Sequence, residues 1–221
     1  MSEQNSYLIR RIFFSGILGL SLVISPITAH ASSGEDLVRA ARFGNLPEVR
    51  TLLNKGAEIN HQNEYGTTAL IAASRKGRVE IVKTLLAMGA EINYQDNYST
   101  TALMRASRNG HDTIVQALLS EGAEINYQNK TGETALMKAS RYGHVAIVQA
   151  LLAKGALIDH QNKYGDTALI KASWQGHVET VQVLLVKSAK VNLKNKRKKT
   201  ALMDAKTLRI KKLLKAAGAT E

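Results

Sequence analysis

"TALMRASRNGHDTIVQALLSEGAEIN" runs from Thr101 to Asn126, and 33 residues on the chain reads "TALMKASRYGHVAIVQALLAKGALID", from Thr134 to Asp159. The interval is kept on both sides of these two copies. Thr-Ala-Leu begins at Thr68, Thr101, Thr134, Thr167 and Thr200, and a closing Asn or Asp falls at Asn60, Asn93, Asn126, Asp159 and Asn192. A fixed period held over five positions makes the chain a stack of small supersecondary units.

One unit shows the local logic. Thr68 stands where a helix N-cap belongs, its hydroxyl placed to accept from a first-turn N–H. Leu70, Ile71, Ala73 and Ser74 predict a short helix with an apolar face and small residues for close approach. Gly77 supplies a left-handed stop. A second helix follows, with Val79, Ile81, Val82, Leu85 and Leu86 on or near its buried face, and Gly89 ends it. Polar runs such as "NHQNEYG", Asn60 to Gly66, turn the chain between units. Two short helices cannot bury their apolar faces alone, but stacked side by side they form one continuous core.

This pattern resembles the ankyrin repeat, a 33-residue turn plus two antiparallel helices. Gly66, Thr68, Leu70 and Ala73 match its first half, and Gly77, Leu85, Leu86, Gly89, Ala90 and Asn93 its second; Gly110-His111, Gly143-His144 and Gly176-His177 match its Gly-His pair. The resemblance implies an all-α ankyrin-repeat solenoid of about six helix-turn-helix units joined by hairpin turns. The expected organisation is a signal segment over 1–31, an N-terminal capping repeat over 32–60, four full repeats over 61–93, 94–126, 127–159 and 160–192, and a shortened, basic capping repeat over 193–221. Three departures stand out. The family's Pro is Ala at Ala69, Ala102, Ala135, Ala168 and Ala201. Its His is Ile71, Met104, Met137, Ile170 and Met203, so apolar packing is expected in place of that histidine's polar network. Its Gly is replaced at Ser99, Ser188 and Lys198, each costing on the order of 1 kcal/mol if a positive φ is required there.

The first 31 residues lie outside the repeats. Arg10 and Arg11 precede a 13-residue apolar run, "IFFSGILGLSLVI", and Ala29-His30-Ala31 places small residues before a cleavage point. That order is a secretory signal peptide, the run being short of the roughly 20 residues that span a bilayer. An uncleaved anchor is the alternative for the same stretch. Ile9 before the arginine pair favours the general export route over the twin-arginine one. The style of the signal resembles that of exported bacterial ankyrin-repeat proteins and implies the periplasm, or a secreted protein in the alternative. Proteins of that kind include some that protect against peroxide and others that neutralise toxic effectors. The chain has no cysteine, so disulfides contribute nothing.

Net charge is +12, but it is unevenly placed. Residues 32–186 carry sixteen Lys or Arg against fifteen Asp or Glu, whereas residues 187–221 carry twelve against Asp204 and Glu221. The basic run is Lys194, Lys196, Arg197, Lys198 and Lys199, with more cations on the last helix. A solvated cap, which the end of a stack requires, competes with a surface for anionic lipid or nucleic acid. No aromatic residue interleaves the run and no recognition helix or zinc spacing occurs, so no specific nucleic acid is expected.

Chemistry finds little support. The chain lacks phosphate-loop, nucleophile-elbow, dinucleotide-binding and zinc-protease motifs. Equivalent histidines in successive repeats should stand about 10 Å apart, too far to share a metal. His111, His144 and His177 are read as structural, each starting a second helix, and Glu91 and Glu124 as surface. No enzyme, cofactor or metal is expected, and the molecule is expected to be a monomer.

Recognition remains. In the family, hairpin tips and the exposed side of the first helix line a concave protein-binding surface. Carried over by position, this implies Tyr65, Arg75, Tyr98, Arg105, Arg108, Lys138, Arg141, Tyr142, Tyr164, Lys171 and Trp174 as the partner-binding set. Two columns emerge: Arg75, Arg108, Arg141 and Trp174, and beside it Arg105, Lys138 and Lys171. Trp, Tyr and Arg are the residues that dominate interface hot spots. The expected partner is a protein of unknown identity.

Overall fold

The structure, a computed structural model, describes residues 26–220. Up to Ser25 the expected signal segment lies outside the described residues, so the basic start and the apolar run are not described. Among the described residues, no helix is long and apolar enough to cross a membrane.

Eleven α-helices follow one another in this part of the chain, and no strand interrupts them. They alternate between two rows. The inner row holds α1 (Pro26–Phe43), α3 (Ala69–Lys76), α5 (Ala102–Asn109), α7 (Ala135–Tyr142) and α9 (Ala168–Gln175). The outer row holds α2 (Leu46–Asn54), α4 (Val79–Ala87), α6 (Asp112–Ser120), α8 (Val145–Ala153), α10 (Val178–Val186) and α11 (Leu208–Ala216). Each inner helix packs on the inner helices of the neighbouring units, each outer helix on the outer ones, and the two of a unit on each other.

The repeated threonine does what its position predicts. Thr68, Thr101, Thr134 and Thr167 accept through their hydroxyls from the N–H of Ile71, Met104, Met137 and Ile170. Ala69, Ala73, Ala102, Ala106, Ala135 and Ala139 are almost wholly buried, which lets adjacent inner helices approach closely. Leu85, Ile114, Leu118, Ile147 and Leu151 fill the space between the rows. The apolar substitutes for the family's histidine pack as expected at Ile71, Met104, Met137 and Ile170; Met203 does not, being 43% exposed.

Met203 is exposed because the last unit has no first helix. Residues 201–204 form only turns. Helix α11, capped by Thr207, begins eight positions after Thr200, whereas in a full repeat the second helix begins eleven positions after the threonine, so the chain is too short for both helices. Lys206 N–H donates to the Ser173 carbonyl and ties this abbreviated segment to the unit before it.

Three hydrogen-bond ladders join the units. Asn60, Asn93, Asn126, Asp159 and Asn192 accept through Oδ1 from backbone N–H groups of the following unit at 2.9–3.0 Å. At the hairpin tips, the N–H of Asn97, Lys130, Lys163 and Lys196 donates to the carbonyl of Tyr65, Tyr98, Thr131 and Tyr164. Third, His111, His144 and His177 donate from Nε2 to the carbonyls of Arg75, Arg108 and Arg141, at 3.0–3.2 Å. These histidines do stand at the start of the second helices, but without a side-chain capping bond there. Their rings instead close the C-terminal end of the previous unit's inner helix.

Candidate protein-binding surface

Each hairpin tip is built on one side chain. Asn63, Asp96, Asn129, Asn162 and Asn195 accept through Oδ1 from the N–H groups two and four residues on. This local loop of bonds fixes a turn whose outermost residue points away from the stack. Tyr65, Tyr98 and Tyr164 occupy that place and are exposed. The turn's last residue needs a left-handed backbone. Gly66, Gly132 and Gly165 meet that need with φ of 69°, 75° and 76°, while Ser99 and Lys198 adopt φ of 55° and 60° there; Ser188, after the second helix of its unit where Gly89, Gly122 and Gly155 stand in others, has φ of 63°. The positive φ anticipated for these three substitutions is therefore present.

The C-terminal turn of each inner helix carries the first expected column. Arg75 and Arg141 are half-buried, Arg108 is exposed and Trp174 is 53% exposed. The column is more than a row of like residues. The Arg108 guanidinium lies 5.4 Å from the centre of the Tyr142 ring, and Arg141 lies 5.9 Å from Tyr142 and 6.0 Å from Trp174. Cation and aromatic faces therefore alternate. The structure adds a member the sequence reading passed over: Arg42, whose guanidinium lies 5.6 Å from the Phe43 ring. The period carried the signal, since Arg42 and Phe43 stand 33 residues before Arg75 and Lys76.

The second column is corrected. Arg105, Lys138 and Lys171 were expected to stand exposed, and they do not. Lys171 is only 8% exposed, and Arg105 and Lys138 are half-buried. All three are tied to carboxylates. Arg105 pairs with Asp96, Lys138 with Glu133, and Lys171 with both Glu133 at 2.9 Å and Asp166 at 3.4 Å. Their cationic heads turn under the hairpin tips because acids are buried there that need them. Burial pushes the Glu133 carboxyl up, but the hydrogen bonds and charges of Lys138 and Lys171 outweigh it and hold its pKa below the usual carboxylate range.

The sequence held a sign of this zipper. Glu133 and Lys138, then Asp166 and Lys171, stand five residues apart, and in the last unit Lys199 and Asp204 repeat the spacing with the charges exchanged. Lys199 lies 3.3 Å and Arg197 3.6 Å from Asp204. Two members of the basic run thus have a carboxylate partner, while Lys194, Lys196 and Lys198 project as exposed cations; all five of the run are exposed.

What remains uncompensated is the first column. Among the described residues, none of Arg42, Arg75, Arg108 and Arg141 forms an ion pair within 4.0 Å. The Nε of Arg75 and of Arg141 is buried without a hydrogen-bond partner. Burial lowers the Arg75 pKa from its ordinary value, and the nearby charges of Arg105 and Arg42 lower it further. The charge of Asp96 acts in the opposite sense, and a guanidinium stays protonated at neutral pH regardless, so Arg75 is a cation without a direct carboxylate partner. Two hollows flank the column. One, of about 630 Å³, has Arg42, Arg75 and Arg105 among its lining residues together with Tyr65 and Tyr98, and the acids Glu35, Glu64 and Asp96 border it too. The other, of about 230 Å³, lies between Arg141, Lys171, Trp174, Arg197 and Asp204.

The described part of the chain is thus a solenoid of helix pairs with polar hairpin tips and a partly exposed arginine–aromatic row. The family model for ankyrin repeats (3 copies) matches residues 37–129 and again residues 103–195. The chain belongs to the ankyrin-repeat family, whose repeats are in general protein–protein interaction modules and typically carry no catalysis. No curated protein matches the chain.

Proposed function

We propose that the protein is a non-catalytic interaction module, exported to the periplasm, that binds or protects a protein partner through the inner face of its stack. The observation that carries this reading is the column of Arg42, Arg75, Arg108 and Arg141, interleaved with Phe43, Tyr142 and Trp174 and, among the described residues, without a carboxylate within ion-pair distance. Leaving four cations unpaired on one face has a self-repulsion cost. A partner supplying the missing anions relieves it. The aromatics add contact area of the kind hot spots use.

Export rests on the order basic residues, apolar run, Ala29-His30-Ala31. Cleavage after Ala31 cuts within α1 and leaves its buried residues Leu37, Val38, Ala40 and Ala41 in place. N-terminal sequencing of the exported protein should begin at Ser32; intact Met1 in a cytoplasmic fraction would remove this part of the reading.

The binding face is tested with the chain from Ser32 onward, used to capture proteins from a periplasmic extract. A partner held by the parent should be lost from a variant carrying Arg141→Ala and Trp174→Ala, the affinity falling by a few kcal/mol while the helical spectrum is unchanged. Equal retention by parent and variant removes the inner face as the site.

A second reading, docking to an anionic surface, is favoured by Lys194, Lys196 and Lys198, which are exposed and form no ion pair among the described residues. It uses a different part of the molecule.

A further inference from the structure

The arginine column recurs once per repeat, and repeats stack at the helix-packing distance of about 8–10 Å. A ligand meeting all four arginines must therefore present an anion about every 9–10 Å along one side. Few polypeptide conformations do this. A β-strand places i and i+3 on opposite faces. An α-helix returns to the same face after seven residues and about 10.5 Å, but its carbonyls are already bonded internally. The polyproline II helix has three residues per turn and rises about 3.1 Å per residue, so every third side chain lies on one face about 9.3 Å from the last. Its backbone carbonyls are also free to accept.

We propose, building on the inner-face reading, that the column Arg42, Arg75, Arg108 and Arg141 takes an extended acidic segment of a partner protein in the polyproline II conformation, with a carboxylate at every third residue. Four carboxylates at i, i+3, i+6 and i+9 span about 28 Å, the length of three repeat intervals. The charge is complementary, since none of the four guanidinium groups has an ion-pair partner within 4.0 Å among the described residues. Beside the column, Tyr98 lines the hollow shared with Arg42 and Arg75, its hydroxyl suited to donate to carbonyls that only an extended ligand leaves free. The column ends at Trp174, which stands at the fifth periodic position where the others have Arg. The register therefore calls for an apolar residue, such as proline, at i+12, packing on the indole. A single nucleic-acid strand fits less well. The Tyr142 ring, 39% exposed, already lies against the guanidinium groups of Arg108 and Arg141, which compete with a base for stacking on it.

The protein reports its own binding, because Trp174 is its only tryptophan. Its emission is followed while a 13-residue proline peptide with glutamate at positions 1, 4, 7 and 10 is added at physiological salt. There the Debye length of about 8 Å is shorter than the repeat spacing, so bulk attraction is suppressed. Comparison probes are the same composition with four consecutive glutamates, a helical peptide with glutamate every seventh residue, and an oligothymidylate of equal charge. The spaced peptide should bind at least about tenfold more tightly than each comparison probe. Arg75→Gln with Arg108→Gln should weaken it by about tenfold or more, with the unfolding midpoint of the variant measured alongside. Arg209→Gln with Lys212→Gln, on α11, should leave it unchanged. Equal affinity for spaced and clustered glutamates, tighter binding of the helix or the oligonucleotide, or no binding of any probe each overturns the proposal. In the last case the inner face still stands or falls on Arg141→Ala with Trp174→Ala against a captured partner.

Discussion

Lys198 is a residue whose backbone disagrees with its side chain. Its φ of 60° lies in the left-handed region, where Gly66, Gly132 and Gly165 occupy the same turn position. Lys198→Gly should raise stability by up to about 1 kcal/mol, read from the midpoint of urea unfolding. Glu133 poses the opposite case, a buried acid that the surrounding charges favour. Its pKa is lower folded than unfolded, so its stabilising effect is present above the ordinary carboxyl pKa and is lost as pH falls through the depressed value. Glu133→Gln leaves Lys138 and Lys171 beneath the tips without this partner. The expected cost at neutral pH is about 3 kcal/mol, the low end for a broken buried pair because Lys171 keeps Asp166. The variant should also lose less stability than the parent on acidification below pH 4; equal acid sensitivity would show that Glu133 is not the titrating group. Both residues illustrate what a sequence displays. The strain at Lys198 was legible, since a periodic glycine had been replaced. The burial of Lys171 was not, because a cation on a polar face reads as exposed until the acid beneath it is located.

At the scale of elements, the inner helices end the same way three times. The left-handed caps Gly110 and Gly143 lie under the histidine of the next unit, and a Cβ at Gly110 would meet the His144 ring at 2.6 Å. That ring bonds the Arg108 carbonyl at 3.0 Å, so one side chain completes a helix end and joins two units. His144→Ala should therefore cost about 1 kcal/mol, measured by urea unfolding; a change within error would assign that helix end to solvent. The helix pairs were readable from Thr68 to Asn192 because caps, apolar spacing and stops all recur at one period. The final unit was less so. Thr200, Ala201 and Leu202 keep the start of a first helix in letters, yet the three-residue shortfall before Thr207 leaves only a turn. Chain length overrode local preference.

Across the whole molecule, charge is sorted by role. Acids and bases under the tips neutralise one another, the inner column keeps its cations for contact, and the last 35 residues hold a net +10. The last group should act through long-range attraction alone. Replacing Lys194, Lys196 and Lys198 with Gln should reduce retention on anionic vesicles at low ionic strength, by up to about a hundredfold at roughly 1 kcal/mol per cation, and the difference should fade at physiological salt. Retention equal to the parent at low salt would leave these lysines as the solvated end of the stack. A different consequence lies in the ladders that join the units. Each unit offers the next the same acceptors: an asparagine side chain, a tip carbonyl and a helix-end carbonyl. The molecule's length is therefore quantised. Excising residues 101–133 joins Thr100 to Thr134 and restores the ladder partners in kind: Leu157 N–H for Asn93, Lys163 N–H for Tyr98, His144 for Arg75, and Lys138 for Asp96. The shortened chain should fold cooperatively with a lower urea midpoint, one interface fewer. Excising 28 residues from the same place should not fold, because no ladder then finds its rung. Gain or loss of reach by this protein can come only in steps of one repeat.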